Sequence, residues 1–598
     1  MQEDLWVLDF ETDAIEDFAP LLPEPRCASL TDPNGVTTFY AWSLPEGNNC
    51  TWEEFRDVLL SIWDKPILGQ NSAGFDMEIA THWFKLPPRD PLLNHDTLFQ
   101  VYLVDPHARS LSLKDIAAAW LGMPPDEQQE LYDWIVKNVP GATRKTAGAH
   151  ICKAPARLIE PYADGDVIRT KAVFDYCWPK IKDSMLEPYQ RELRLAPILA
   201  GMRNIGVRVD LERLKADYTV ALQKLHKLDE MIRERLKAPG LSVDSNGDLI
   251  QAMQAAGIDG FLTTPTGKLS AAKDSLDAAL ASDPDLRRML KSRATYATLT
   301  STFMGPWIEI ATKNGGRIHA AYNQVRNPDG FGTRTGRLSS SGPNFQNVPT
   351  DLNYHGDEYI GDYWGESYPV MRSYLLPDEG HVWSCGDFKN QEPRLAAHFE
   401  DGALCAAFNE NPELDPYLFV VELCGQGIIR KEAKVVFLGL LYAMGVASLA
   451  DRLDCDAGRA GLIKQVVKAG IPDVVQLEAD CKRRFRNGLP IRTLGGRLYY
   501  CEPPSNGRSW EYKALNTLIQ GSAADQTKEA LIYAHHKFKE LDPTIRILTT
   551  VHDEYSVSHP AHLTEQVHQI MRESANVLPC DVPMLMDINV GNNWAEAK

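Results

Sequence analysis

Apolar and polar positions along the chain alternate in blocks that change character twice. Leu5-Trp6-Val7-Leu8-Asp9-Phe10 is an apolar run with aromatic and β-branched members, which predicts a buried strand with Asp9 and Glu11 at its exit. Mixed strand and helix patterns continue to about Tyr189. From Glu192 to about Lys313 the pattern turns helical. Leu211 to Leu236 spaces Leu214, Leu222, Leu225 and Leu228 at helical intervals among charges. Residues 315–349 are rich in Gly, Ser, Asn and Pro, a loop composition. Val382 to Gly386 predicts a strand ending at Asp387, followed by a helix with Glu392, Arg394 and His398. Arg430 to Tyr442 predicts a helix, and Ile545 to Val557 a hairpin around His552-Asp553-Glu554. The expected architecture is multidomain: α/β, then mostly α, then α+β.

Length and composition narrow the class. The chain has 598 residues, enough for several cores, with 44% hydrophobic and 24% charged residues, values typical of folded domains. No run of 18 apolar residues predicts a membrane span, and the first residues have no secretory signal pattern. A cytoplasmic protein without a membrane partner is expected. The 11 cysteines lack a Cys-x-x-Cys pair, which suggests reduced thiols. The formal charge of −19 argues at first against a polyanion partner.

Paired acids alter that inference. Asp9 and Glu11 are two apart on a strand, so both point to one face, where they repel unless a cation neutralises them. Asp76 falls near a helix start, and Tyr162 and Asp166 are four apart, on one helical face. Asp164 is expected to be solvated. Hard divalent cations take oxygen ligands, so four acids and a phenol suit metal-assisted phosphodiester hydrolysis. Farther on, Asp387 at a strand end and Asp553 at a hairpin tip converge if both strands share a sheet. Arg430 and Lys434 project together from an otherwise apolar helix and suit a triphosphate. On that helix, buried cations would need anionic partners. Lys482, Arg483, Arg484, Arg486, Arg492 and Arg497 crowd one stretch and suggest contact with nucleic-acid phosphates.

Two resemblances rest on these residues. Asp9-Phe10-Glu11-Thr12, Asn71-x-x-x-Phe75-Asp76 and Tyr162-x-x-x-Asp166 resemble the proofreading 3′–5′ exonucleases, which have a ribonuclease H-like fold. That implies Asp9, Glu11, Asp76 and Asp166 as metal ligands and Tyr162 as the residue orienting a water. From about Glu192 onward the chain resembles the A-family DNA polymerases, the class of bacterial DNA polymerase I. The motifs are Thr335-Gly336-Arg337-Leu338-Ser339-Ser340, Pro343 to Pro349, Asp387-Phe-Lys-Asn-Gln-Glu392-Pro-Arg394, Arg430-x-x-x-Lys434-x-x-x-Leu438-Gly439-x-x-Tyr442, Asn516-x-x-x-Gln520-Gly521, Val551-His552-Asp553-Glu554, and Val590 to Trp594.

The resemblance implies a right-hand polymerase after an exonuclease domain at 1–190. The thumb would span about 191–320, the palm about 321–425 and 500–598, and the fingers about 426–499. Asp387 and Asp553 would hold two Mg²⁺ ions, with Mn²⁺ as a substitute, and Glu554 would support them. Arg430 and Lys434 would grip the incoming dNTP, Lys434 also as proton donor. Glu392 and Tyr442 would exclude a ribose 2′-hydroxyl, and His552 would position the primer end. Arg337, Asn516 and Gln520 would contact the primer–template minor groove. Leu438 replaces the usual aromatic residue, Ala443 a usual Gly, and Tyr512 a usual basic residue. No 5′-nuclease domain and no thioredoxin-type insertion are expected. A monomeric phage replication enzyme fits this form, with a helicase or single-strand binding protein as candidate partners. Its −19 charge would then lie away from a basic cleft.

Overall fold

The computed structural model describes the chain except residues 1–3, 17–19, 21, 265, 327–331, 356–357, 426 and 506. Packing divides it into two units. The first comprises residues 1–206, 319–346 and 384–589; the second comprises 207–318, 347–383 and 590–598.

In the first unit, amino-terminal residues build a mixed sheet. Strand β1 (Trp6–Thr12) pairs antiparallel with β2 (Pro25–Thr31), and β2 antiparallel with β3 (Thr37–Ala41). On its other edge β1 pairs parallel with β4 (Ile67–Gly69), and β4 parallel with β5 (Asn94–Asp96). The order is β3-β2-β1-β4-β5. Both faces of β1 are covered, which is why its sequence reads as an apolar run. Leu8 and Phe10 pack into an aromatic cluster with Phe55 and Phe84. Val7 packs on the opposite face, in a cluster with residues of helices α2 (Thr97–Val104) and α3 (Ala156–Lys182). Helix α1 (Asp76–Trp83) begins at the acid expected near a helix start. Strand alternation puts Asp9 and Glu11 on the Val7 face, toward α3.

Helix α4 (Leu186–Ile205) belongs to this same unit. The carboxy-terminal sheet has the order β7-β8-β6-β9, from β6 (His381–Phe388), β7 (Arg546–Val551), β8 (Glu554–Pro560) and β9 (Met586–Gly591). The expected hairpin is present, with Val551 opposite Glu554. The strand expected to end at Asp387 ends one residue later, at Phe388. Helices α5 (Gln391–Glu400), α6 (Arg430–Leu441), α7 (Pro472–Arg486) and α8 (Ala514–Leu541) share one apolar core, which includes Leu395, Phe437, Phe485 and Leu518. The stretch at 315–349 is not all loop: Ala321–Asn323 and Ser339–Ser341 pair antiparallel. All 11 cysteines are free thiols.

The second unit is mostly helical. The helix Leu211–Arg235, close to its predicted limits, packs against the helix Pro284–Thr298, whose last turn widens into a π-helix over Leu299–Met304. Its three-stranded sheet orders Leu375–Leu376, Val207–Val209 and Arg317–Ile318. Trp383 stacks on Trp594 with ring centres 6.1 Å apart. Among the described residues, no helix is long and apolar enough to cross a membrane.

Charges with almost no solvent access hold the first unit together. Glu192 on α4 is 0% exposed, as is Lys528 on α8, whose Nζ lies 2.6 Å from the Glu192 carboxylate. Arg497 reaches the same carboxylate at 2.8 Å, and Gln324 donates to it at 2.9 Å. One residue earlier, Arg191 pairs with Asp525 at 3.1 Å and Glu529 at 2.9 Å. Burial lowers the Lys528 pKa to about 8 despite that partner. Removing one member of such a group strands the others without water. Glu192→Ala is therefore expected to cost about 3–5 kcal/mol, seen as a lower urea midpoint. A change below about 1 kcal/mol would show that the remaining charges repack without it.

Candidate active sites

The first candidate lies between β1 and α3. Carboxylate oxygens of Asp9, Glu11 and Asp166 all lie within 4.8 Å of one another. Burial and the neighbouring acids raise the pKa values of Asp9 and Glu11 well above the usual range. Asp76 neighbours that trio without joining the 4.8 Å cluster: its charge helps raise the Asp9 pKa, and its Oδ1 accepts the Phe10 amide hydrogen at 3.2 Å. Burial pushes the Asp76 pKa to about 7. Tyr162 and Asp166 are both buried on α3, one helical turn apart.

Lys114, which sequence spacing did not single out, joins the cluster. Its Nζ is 2.8 Å from Asp166 Oδ2 and 3.8 Å from the centre of the Tyr162 ring. It lies 52 residues from Asp166 in sequence, so no local pattern could reveal it. Asp164 is not solvated as expected. It is half-buried and accepts a 2.6 Å hydrogen bond from the Ser29 hydroxyl, because Ser29 on β2 faces the same helix. Lys114 and Arg169, the latter 3.5 Å away, pair with Asp166 alone of the three acids, and three carboxylates this close together have the donor chemistry of a divalent cation centre.

The second candidate is a cavity of about 670 Å³ at the edge of the carboxy-terminal sheet. Arg337, Asp387, Glu392, Arg430, Lys434, Leu438, Tyr442, His552 and Asp553 all line it. Two adjacent strands bring the aspartates together: the Phe388 amide donates to the Asp553 carbonyl at 3.1 Å. Burial, then the Asp387 charge, raises the Asp553 pKa to about 6. His552 takes the left-handed backbone region, φ 56°, which the two-residue turn requires.

On the facing helices, Glu392 of α5 bonds at one oxygen to the Tyr442 hydroxyl and at the other to the Arg337 guanidinium. Both partners fix its rotamer at the cavity wall.

Arg430 and Lys434 differ from the expectation of buried cations with anionic partners. Both are exposed to the cavity, because the apolar face of α6 turns the other way. Arg430 pairs with Asp415 at 2.6 Å. Lys434 has no ion pair among the described residues, and its ammonium is 5.5 Å from the Tyr417 ring centre. Asp415 and Tyr417, both lining the cavity, went unnoticed in the sequence because an Asp-Pro-Tyr helix start is unremarkable locally.

Glu554 is 4% exposed and lies in β8, outside the cavity lining. Asn516 and Gln520 lie one turn apart on α8, half-buried, and do not line the cavity. Ala443 adopts φ 55° just after α6, a conformation natural to the usual Gly and unfavourable for Ala.

The 482–497 cluster is largely neutralised. Lys482 pairs with Glu478 at 2.6 Å, Arg483 with Asp480 at 2.8 Å and Arg486 with Glu511 at 3.0 Å. Arg497, expected in a DNA-facing cleft, is 1% exposed and bound to Glu192. Local charge density cannot distinguish a guanidinium facing solvent from one facing a buried glutamate.

The family model for DNA polymerase family A matches residues 211–596. The chain belongs to DNA polymerase family A, the template-directed DNA polymerases. A DNA-directed DNA polymerase of Pseudomonas phage M6 is 28% identical over 74% of this chain and 71% of its own length. The thermostable DNA polymerase I of Thermus filiformis is 28% identical over 72% of this chain, which spans half of that protein. Among solved structures, the polymerase domain of Pol1 from M. smegmatis, in complex with DNA primer-template and dNTP, superposes with a TM-score of 0.75. It is 22% identical and covers 99% of this chain and 95% of its own.

The like-charge contact between Asp387 and Asp553 yields a prediction. In metal-free protein, Asp387→Asn should lower the Asp553 titration midpoint from about 6. Carboxyl ¹³C shifts against pH would show it; an unchanged midpoint would mean that burial alone sets the value. Because the folded pKa lies above the ordinary aspartate value of about 4, ionisation of Asp553 removes stability as pH rises from about 4 through about 6.

Proposed function

We propose that this chain extends a primer 3′-hydroxyl with dNTPs on a DNA template and trims mispaired ends from an amino-terminal 3′–5′ exonuclease site. The observation that carries the synthetic reading is the single cavity bringing Asp387, Asp553, Arg430, Lys434 and the Glu392–Tyr442 pair together. Divalent ions, Mg²⁺ or Mn²⁺, held by Asp387 and Asp553 would activate the primer hydroxyl and neutralise the leaving pyrophosphate.

The chain's own groups do the rest. Arg430 and Lys434, on successive turns of α6, hold the triphosphate, and Lys434, exposed in the cavity, can give a proton to pyrophosphate. Glu392, pinned from both sides, fills the space of a 2′-hydroxyl. His552, beside Asp553, positions the primer end. Leu438 offers the sugar apolar bulk without an aromatic face. Glu554 acts indirectly, through the hairpin. Asn516 and Gln520, outside the cavity, would meet the duplex minor groove together with Arg337, where acceptors differ little between base pairs.

The exonuclease reading rests on the Asp9–Glu11–Asp166 cluster on a β3-β2-β1-β4-β5 sheet, the strand arrangement of a ribonuclease H-like fold. Asp76 anchors β1 beside Asp9 and would complete the ligand set, and Tyr162 would orient the attacking water. Residues 1–190 would form this domain, followed by thumb, palm and fingers within 191–598. A monomeric, cytoplasmic phage replication enzyme working with a helicase or single-strand binding protein fits this arrangement.

A labelled primer–template with Mg²⁺ tests both sites. The wild-type chain should lengthen the primer with dNTPs and shorten it without them. Asp387→Ala should abolish only extension, and Asp9→Ala only shortening, each by at least about 100-fold. Loss of both in either variant would contradict two independent sites. Leu438→Phe should change the ratio of dideoxy to deoxy incorporation in single-turnover assays; an identical ratio would remove Leu438 from the sugar contact.

A further inference from the structure

Arg337 reaches Glu392 from a segment with little regular structure, so something must hold that segment. The holding groups come from far away in the chain. Tyr102, on α2 of the amino-terminal region, is 1% exposed, and its hydroxyl points at the carbonyls of Thr333, 3.1 Å away, and Arg334, 3.0 Å away. Arg497 packs 5.2 Å from the Tyr102 ring centre and donates to the Thr335 carbonyl at 3.4 Å. Gly336 lies so close to Arg497 that a Cβ there would fall 1.9 Å from a guanidinium nitrogen, and its φ of +89° favours glycine independently. The Thr333 hydroxyl then donates to the Arg337 carbonyl at 2.8 Å. Each of residues 333–337 is thus tied by its backbone or close approach to Tyr102, Arg497 or a neighbour so tied. The last of them presents the guanidinium that grips Glu392, which also holds Tyr442.

We propose that Tyr102, a residue of the amino-terminal region, is a positioning residue for nucleotide selection in the polymerase site. This rests on the reading of Glu392 and Tyr442 as the sugar-discriminating pair. Tyr102 touches no substrate. It fixes the carbonyls of Thr333 and Arg334, and so the angle from which Arg337 meets Glu392. If that angle relaxes, Glu392 regains rotamers and no longer fills one fixed position, and a ribose 2′-hydroxyl finds space. The bond from Thr333 to the Arg337 carbonyl is the second hold on the same segment.

The test uses the full chain carrying Tyr102→Phe, which keeps the ring but removes the hydroxyl, and separately Thr333→Val. Single-nucleotide insertion is measured with dNTP and with the matching rNTP. Both variants should lower the dNTP-over-rNTP preference in kcat/KM about three- to tenfold, the worth of one hydrogen bond. Most of the change should appear as a raised dNTP KM and a faster rNTP insertion. Shortening of single-stranded DNA should stay at the wild-type rate. An unchanged preference in both variants, with wild-type extension intact, would overturn this inference alone. Loss of shortening with unchanged preference would also overturn it, assigning Tyr102 to its own region. No extension by the wild-type chain would overturn both this inference and the reading beneath it.

Discussion

Glu192 with Lys528 and Arg497 is the interaction on which the first unit depends. One carboxylate, with no solvent access, accepts from two cations and an amide carried by α8, the segment around residue 497 and the strand near residue 324. A charge group of this kind stabilises little compared with apolar packing, but it is costly to break and it allows one register only. It locks α4, which follows directly on the amino-terminal sheet and its covering helices, to the core helix α8. The same Arg497 that satisfies Glu192 also faces Tyr102 and the Thr335 carbonyl. A structural charge and the placement of Arg337 are therefore coupled through one guanidinium.

The two carboxylate sites share a physical device. Each places acids close together under burial, so that desolvation and like charges together raise the pKa values of Asp9 and Glu11 in one and of Asp553 in the other. Such groups gain most when a cation arrives, since neutralisation removes both penalties at once. They differ in their protein cations. In the amino-terminal site Lys114 already contacts Asp166. In the carboxy-terminal cavity the exposed Lys434 lines the same space as the aspartates and makes no ion pair among the described residues.

Much of this was legible in the sequence where the signal was local. The alternation around Asp9 and Glu11, the four-residue spacing of Tyr162 and Asp166 and of Arg430 and Lys434, and the hairpin around Asp553 all follow from strand and helix periodicity. The failures share one cause. Arg497 read as part of a basic surface, Asp164 as solvated, and the α6 cations as buried. In each case the deciding partner, Glu192, Ser29 or open cavity, lies far away in sequence or is no residue at all. Lys114 and Tyr102 gave no signal because neither sits in a spaced pattern.

By itself the sequence determined the elements, the order of the acids along them and, through ordered motifs, the polymerase family, because periodicity and side-chain chemistry act over a few residues. Tertiary structure alone decided which charges face the cavity and which neutralise one another in the core. That choice depends on solvent access and on charged partners as many as 338 residues apart, and a guanidinium's environment, unlike its charge, is not written at its own position.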